Sequence, residues 1–111
     1  MILIEEYLSQ ENENPFRQWF DGLDPQAAAI ITTSIGRLAD GNTSNVKPIG
    51  EGAAELRIDR GPGYRIYFGW DGKVLVILLG GGTKRRQHND IEAALRRWRD
   101  YKRRKASGRK G

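Results

Sequence analysis

The chain has 111 residues, which is room for one domain and one hydrophobic core. Hydrophobic residues make up 38% and charged residues 30%, and the longest apolar run, residues 74–79, falls far short of the roughly 20 residues that a membrane-spanning helix needs. The lack of cysteine excludes disulfides, thiolate nucleophiles and cysteine metal sites, and the net charge of +5 is split unevenly: residues 1–83 carry 7 Lys/Arg against 11 Asp/Glu, residues 84–111 carry 12 against 3.

Such a basic C-terminal quarter fits a polyanionic partner, because each cation set beside a phosphate releases condensed counterions; a solvated basic helix with a tail gives the same count. The start, Met1-Ile-Leu-Ile-Glu-Glu, has neither a basic region nor a small-residue cleavage site, which predicts a cytoplasmic protein with no membrane partner.

Residues 2–7 are short, apolar and β-branched at the start, and predict an opening strand. Asn14-Pro15 pairs an N-cap residue with proline at the first helical position, and Phe16, Trp19, Phe20 and Leu23 follow on one helical face. Asp24-Pro25 repeats that start for a longer helix to about Ala39, with Ala28, Ile31, Ile35 and Leu38 on its apolar side. Residues 40–52, rich in Gly, Asn, Ser and Thr, predict an irregular surface loop.

From Glu55 the period becomes two, with Leu56 and Ile58 alternating with Glu55, Arg57 and Asp59 before the turn at Gly61-Pro62-Gly63. In the next strand Tyr64, Ile66, Phe68 and Trp70 share one face, so Arg65 and Tyr67 point together to the other. Asp71-Gly72 predicts a two-residue hairpin. Residues 74–79 are apolar throughout, as befits a central strand covered on both faces. Gly80-Gly81-Gly82 is expected to end it. A last helix then starts at the N-cap Asn89 with Glu92 completing a capping box, places Ile91, Ala94, Leu95, Trp98 and Tyr101 on its apolar stripe, and gives way to a disordered basic tail over 106–111. The order β-α-α-β-β-β-α predicts a single α+β domain over 1–105, a small and mainly antiparallel sheet with helices packed on it.

One His and no Cys leave no zinc ligand set, and Gly80-Gly81-Gly82-Thr83-Lys84 lacks the glycine-lysine-hydroxyl end of a phosphate loop, since Thr83 precedes Lys84 and Arg85 follows it. What remains is an arginine-rich outward face: Arg57 and Arg65 on neighbouring strands beside Tyr67, with Lys84, Arg85 and His88 beyond the central strand. Guanidinium groups and one imidazole suit metal-free, cofactor-free RNA cleavage, in which a 2′-hydroxyl attacks the neighbouring phosphodiester and charge builds on the phosphoryl oxygens. His88 or Tyr67 would move the proton. The plainer alternatives stay open: Arg57 paired to Glu55 or Asp59, His88 a surface residue at a helix entry, Tyr67 a packing aromatic.

The stretches Glu55-Leu-Arg57-Ile, Gly61-Pro-Gly-Tyr-Arg65-Ile-Tyr67-Phe, Gly72-Lys-Val-Leu-Val-Ile-Leu-Leu-Gly-Gly, Lys84-x-x-Gln87 and Asp90-Ile91 together resemble RelE/ParE toxins, in the phage-derived, HigB-like addiction module killer branch. The chain departs from that branch at Thr83, where Asp is common, and in its basic Arg85-Arg86. The resemblance implies a microbial-ribonuclease-like (RelE-like) fold and a toxin that cleaves messenger RNA on the ribosome. It also implies a helix-turn-helix antitoxin, through which alone the toxin meets operator DNA. By position it assigns Arg57 and Arg65 to the scissile phosphate, and Lys84 and Gln87 to the motif after the strand; Lys84 is expected to join the two arginines in binding phosphate. Lys47, Arg85, Arg86, Lys102, Arg103 and Arg104 are expected to extend the RNA contact. Two other functions are compatible with the family: a non-enzymatic inhibitor of DNA gyrase, and a degenerate nucleic-acid-binding co-repressor.

Overall fold

The computed structural model describes residues 1–108. Along the chain lie β1 (Leu3–Glu6), α1 (Pro15–Asp21), α2 (Pro25–Ala39), β2 (Val46–Gly50), β3 (Ala53–Ile58), β4 (Tyr64–Asp71), β5 (Leu75–Thr83), one 3-10 turn (Lys84–Arg86) and α3 (Gln87–Gly108). The five strands form one mixed sheet in the order β1-β5-β4-β3-β2, antiparallel except where β1 pairs with β5. This is the expected α+β arrangement, consistent with a RelE-like fold.

Both helix starts follow the predicted chemistry. Asn14 and Asp24 accept hydrogen bonds from the backbone N–H groups of Arg17 and Ala27, each at 2.9 Å, with proline next in the chain. Caps of this kind contribute about 1 kcal/mol each. The two helices cover one sheet face, where Phe16, Ile31, Leu38, Ala54, Leu56, Ile66, Phe68 and Leu78 form a core. On the other face α3 lays Ala94 and Trp98 over Tyr67, Ile77 and Leu79. The alternation in β3 and β4 divides these faces as expected, and β5 is an interior strand, paired on both sides by β1 and β4.

Residues 40–52 are not all loop. Val46 and Lys47 pair with Leu56 and Glu55, making an edge strand in which Pro48, which has no N–H to offer, is tolerated. Glu51 and Gly52 form its tight connection to β3, both with positive φ, 60° and 86°. The hairpin at Asp71 has three residues between the paired Asp71 and Leu75, not two.

The three glycines do not end β5, which runs on to Thr83. Pairing passes from Phe68–Leu78 to Tyr67–Gly80, so Leu79 is the extra residue of a bulge. The bulge shifts the alternation beyond it: a Cβ on Gly80 or Gly82 would meet Arg97 or Asp90 of α3, and one on Gly81 would meet Trp19 of α1 at 2.2 Å. The glycines are thus seats for side chains from the flanking helices. Gly69 of β4 serves Trp98 in the same way, with a Cβ only 2.3 Å from the indole.

The last helix starts earlier than Asn89, through the 3-10 turn and then Gln87; Lys84 donates its backbone N–H to Gly63 O at 2.8 Å, tying this start to the β3–β4 turn. Asn89 lies inside the helix, and Glu92 pairs with His88 at 3.1 Å. The tail expected from Ala106 is helical as far as Gly108, and residues 109–111 lie outside the described residues. Among the described residues no helix is long and apolar enough to cross a membrane.

Candidate active site

Directly opposed residues of an antiparallel pair project to the same face. Register therefore places Lys47, Glu55, Tyr67 and Gly80 in one row across the sheet, and Arg57, Arg65 and Gly82 in the next. Both rows lie on the face that α3 covers, close to the helix start.

Two like charges facing each other, Arg57 and Arg65, are unfavourable unless answered. Arg57 is answered by Glu55, whose carboxylate accepts from the guanidinium Nε at 2.7 Å. Gln87 donates its amide to the same carboxylate, at 2.8 and 3.0 Å to its two oxygens. Glu55 is only 2% exposed. Arg57 thus has the ion-pair role considered for it, and its charge is largely neutralised before any ligand arrives.

Arg65 is different. It is 4% exposed, donates from Nη1 to Tyr64 O at 3.1 Å, and has its nearest countercharge at 4.0 Å on the exposed Asp59. Its Nε is buried with no hydrogen-bond partner. Lys84 stands beside it: a Cβ on Gly63 would lie 3.3 Å from Lys84 Cβ and 3.7 Å from Arg65 Nη1.

Tyr67, 1% exposed, also has a hydroxyl without a partner. Burial pushes its pKa up, and the negative charges of Glu55 and Asp90 push it further, so the hydroxyl stays protonated at neutral pH. Asp90, in the first turn of α3, rests its carboxyl against Gly82; burial raises its pKa, opposed by Arg86 and Arg97.

The structure brings together Arg57, Arg65, Tyr67, Lys84 and Gln87, with Lys47 opposite Glu55 and the exposed Arg85 and Arg86 at the rim. It does not bring in His88, whose side chain is 88% exposed and pairs with Glu92. Lys102, Arg103 and Arg104 lie 15 or more residues along α3 from Gln87, roughly 22 Å or more along the helix axis. There they have other partners: Lys102 lies over Trp98, Arg103 pairs with Asp100, and Arg104 pairs with Asp100 and covers the Tyr7 ring. Among the described residues no three metal-ligating side chains converge.

Glu55 and Asp90 are the site residues that the sequence reading did not select. For Glu55 the signal was available, since the alternation of Leu56 and Ile58 puts it on the face of Arg57. Asp90 stands in the Asp90-Ile91 motif of the resemblance, but its seat against Gly82 is made by the bulge in β5, which no local pattern announces.

A separate cleft of about 380 Å³ between α2 and the end of β3 shares Arg57 with the site and is lined by Arg37, Arg60 and an apolar floor of Leu56 and Ile58.

Residues 18–99 match the family described as Phage derived protein Gp49-like (DUF891). The chain belongs to this family. It is a toxin-like family related to RelE/ParE. The Gp49-like chain is also 45% identical over 80 residues to a protein of Haemophilus influenzae described only as uncharacterized, an alignment covering 71% of this chain and 81% of that one. The family match over residues 18–99 contains the whole cluster, from Lys47 to Asp90.

Proposed function

We propose that this Gp49-like protein is the toxin of a toxin–antitoxin pair and acts in the cytoplasm as a ribosome-dependent, metal-independent messenger RNA endoribonuclease, held in check by a helix-turn-helix antitoxin. The observation that carries this reading is Arg65. A buried guanidinium with an unpartnered Nε and only a distant, exposed countercharge is costly, and an arriving phosphate would relieve that cost.

Arg65 and Lys84 bind the scissile phosphate and take up the charge that develops on it. Arg57, already paired, contributes less directly by fixing Glu55. The Tyr67 hydroxyl, kept protonated, is a hydrogen-bond donor at the floor. Lys47, Arg85, Arg86 and Gln87 border the path of the strand. His88 enters proton transfer only if the bound ribosome draws substrate to the outer side of α3. Reliance on the ribosome accords with a site whose own acid–base set is sparse, because positioning of substrate by the ribosome supplies much of the rate.

The test is induced expression of wild type and of the Arg57→Ala/Arg65→Ala double variant in a bacterium, following growth and mapping messenger RNA 5′ ends. Wild type is expected to arrest growth and create new ends within translated frames, while the double variant, folded by circular dichroism, does neither. Arrest without new RNA ends would replace the ribonuclease reading with that of a gyrase-type inhibitor. Harmless wild type would favour a co-repressor.

A further inference from the structure

On the reading that this chain cleaves RNA, we propose that Asp90 is the catalytic base that takes the proton from the attacking 2′-hydroxyl, and that Gly82 is the seat that holds it in place. Three observations converge on this residue.

First, Gly82 is the register partner of Arg65, and a Cβ on Gly82 would stand 2.0 Å from Asp90 Oδ2. Only glycine lets the carboxyl rest there, one strand across from the cation assigned to the phosphate and on the same sheet face. The bulge at Leu79 turns Gly82 toward α3, so strand irregularity, glycine and helix start all serve to place this one group.

Second, the carboxyl sits in the first turn of α3 without a side-chain partner among the described residues. The other half-buried carboxylates are each held: Glu6 by Arg17 and Asn14, Asp71 by Lys105, Asp100 by Tyr7 and Arg104. Among the described residues no hydrogen bond or ion pair holds Asp90, although Arg86 and Arg97 influence it electrostatically. Arg65, with its unpartnered Nε, makes no ion pair with it either, so neither group neutralises the other.

Third, Asp90 keeps part of its surface in solvent and carries a carboxylate with no side-chain partner among the described residues, whereas the Glu55 carboxylate is already engaged by Arg57 and Gln87 and the Tyr67 hydroxyl stays protonated and serves only as a donor. On the sheet face that α3 covers lie Arg65 and Tyr67 of β4 and Glu55 and Arg57 of β3; Arg86 of the 3-10 turn and Arg97 of α3 act on Asp90 electrostatically, Asp90 acts on Tyr67, and Gln87 stands three residues before it on α3. Burial raises the basicity of the carboxylate above that of an ordinary aspartate, which improves it as a base near neutrality.

In the proposed step the 2′-oxygen forms a bond to phosphorus as its proton passes to Asp90. The bond from phosphorus to the 5′-oxygen breaks, and that oxygen leaves as a hydroxyl after taking a proton from water. Asp90 then returns its proton to water. The products are a 2′,3′-cyclic phosphate and a 5′-hydroxyl end.

The isosteric Asp90→Asn variant tests this. Wild type and variant, synthesised in a cell-free translation extract, are given ribosomes programmed with a defined messenger, and cleavage rates are followed between about pH 5 and pH 8. The expected result is a rate loss on the order of 10²-fold or more. The rise of rate with pH seen for wild type should also flatten, with ribosome sedimentation and thermal melting unchanged. Cleavage by the variant at nearly the wild-type rate, with the same pH profile, would sink the role of Asp90 and leave the ribonuclease reading intact. A wild type that cuts no RNA would remove that reading and this role together.

Discussion

Glu55 and Gln87, 32 residues apart, are joined by two hydrogen bonds from one amide to both oxygens of one buried carboxylate, which ties the middle of the sheet to the first residue of α3. Glu55→Ala leaves the Gln87 amide and the Arg57 guanidinium without their acceptor, and is expected to cost about 2 to 3 kcal/mol. Glu55→Gln keeps an acceptor and should cost about half as much. Urea unfolding measures both, and an alanine variant as stable as wild type would show that the start of α3 is held by other contacts.

The seats under the tryptophans give a second prediction. Gly69→Ala would press a methyl into the Trp98 indole, and Gly81→Ala would press one into Trp19. Each should destabilise by about 1 to 3 kcal/mol or more, as overpacking does. Combining Gly69→Ala with Trp98→Leu should give less than the sum of the two single losses, a coupling that a double-mutant cycle reads directly.

Stability should fall at both ends of the pH range through Tyr7 and Asp100, whose side chains share a hydrogen bond of 2.6 Å. The Tyr7 hydroxyl, and then Arg104, hold the Asp100 carboxyl below its ordinary value, so its contribution is present above that value and is lost as pH falls through the depressed one. Burial, and then Asp100, push the Tyr7 phenol above 10.0, so its contribution is present below that pH and is lost as pH rises through the elevated value. Tyr7→Phe should shrink both dependences in thermal melts at pH 3, 7 and 11, chosen as rough points outside and between the two ranges.

The basic residues should divide into two classes. Arg85→Ala and Arg86→Ala remove exposed cations at the rim, and each should weaken RNA binding and lower the salt slope by about 0.7 if it meets one phosphate of a single strand. Arg104→Ala removes partners of Asp100 and Tyr7, and should lower the melting temperature with the slope unchanged. Filter binding across a salt series, beside thermal melts, separates them. Equal salt slopes for all three variants would mean that the C-terminal half of α3 also grips RNA.

Residue-by-residue chemistry made several parts of this protein legible in advance. Asn14-Pro15 and Asp24-Pro25 announce helices because a capping side chain and a fixed φ act within a few residues. The alternation of Leu56, Ile58, Ile66 and Phe68 puts Arg57, Arg65 and Tyr67 on a shared face because a strand repeats every two residues. The edge strand at Val46–Gly50 was hidden in loop-like composition, since its stability comes from pairing with β3. His88 drew notice as the one imidazole, yet titration chemistry says nothing about where a helix face points.

Composition and periodicity determined the α+β class, both core faces and the Arg–Tyr pair on β4, all consequences of short-range backbone geometry. Tertiary structure decided the rest: Gln87 reaches back to Glu55, Arg65 goes unanswered, and a bulge one residue long turns Gly82 to receive Asp90. These outcomes depend on strand register and helix placement, set by packing between residues far apart in the chain, and no local pattern encodes them.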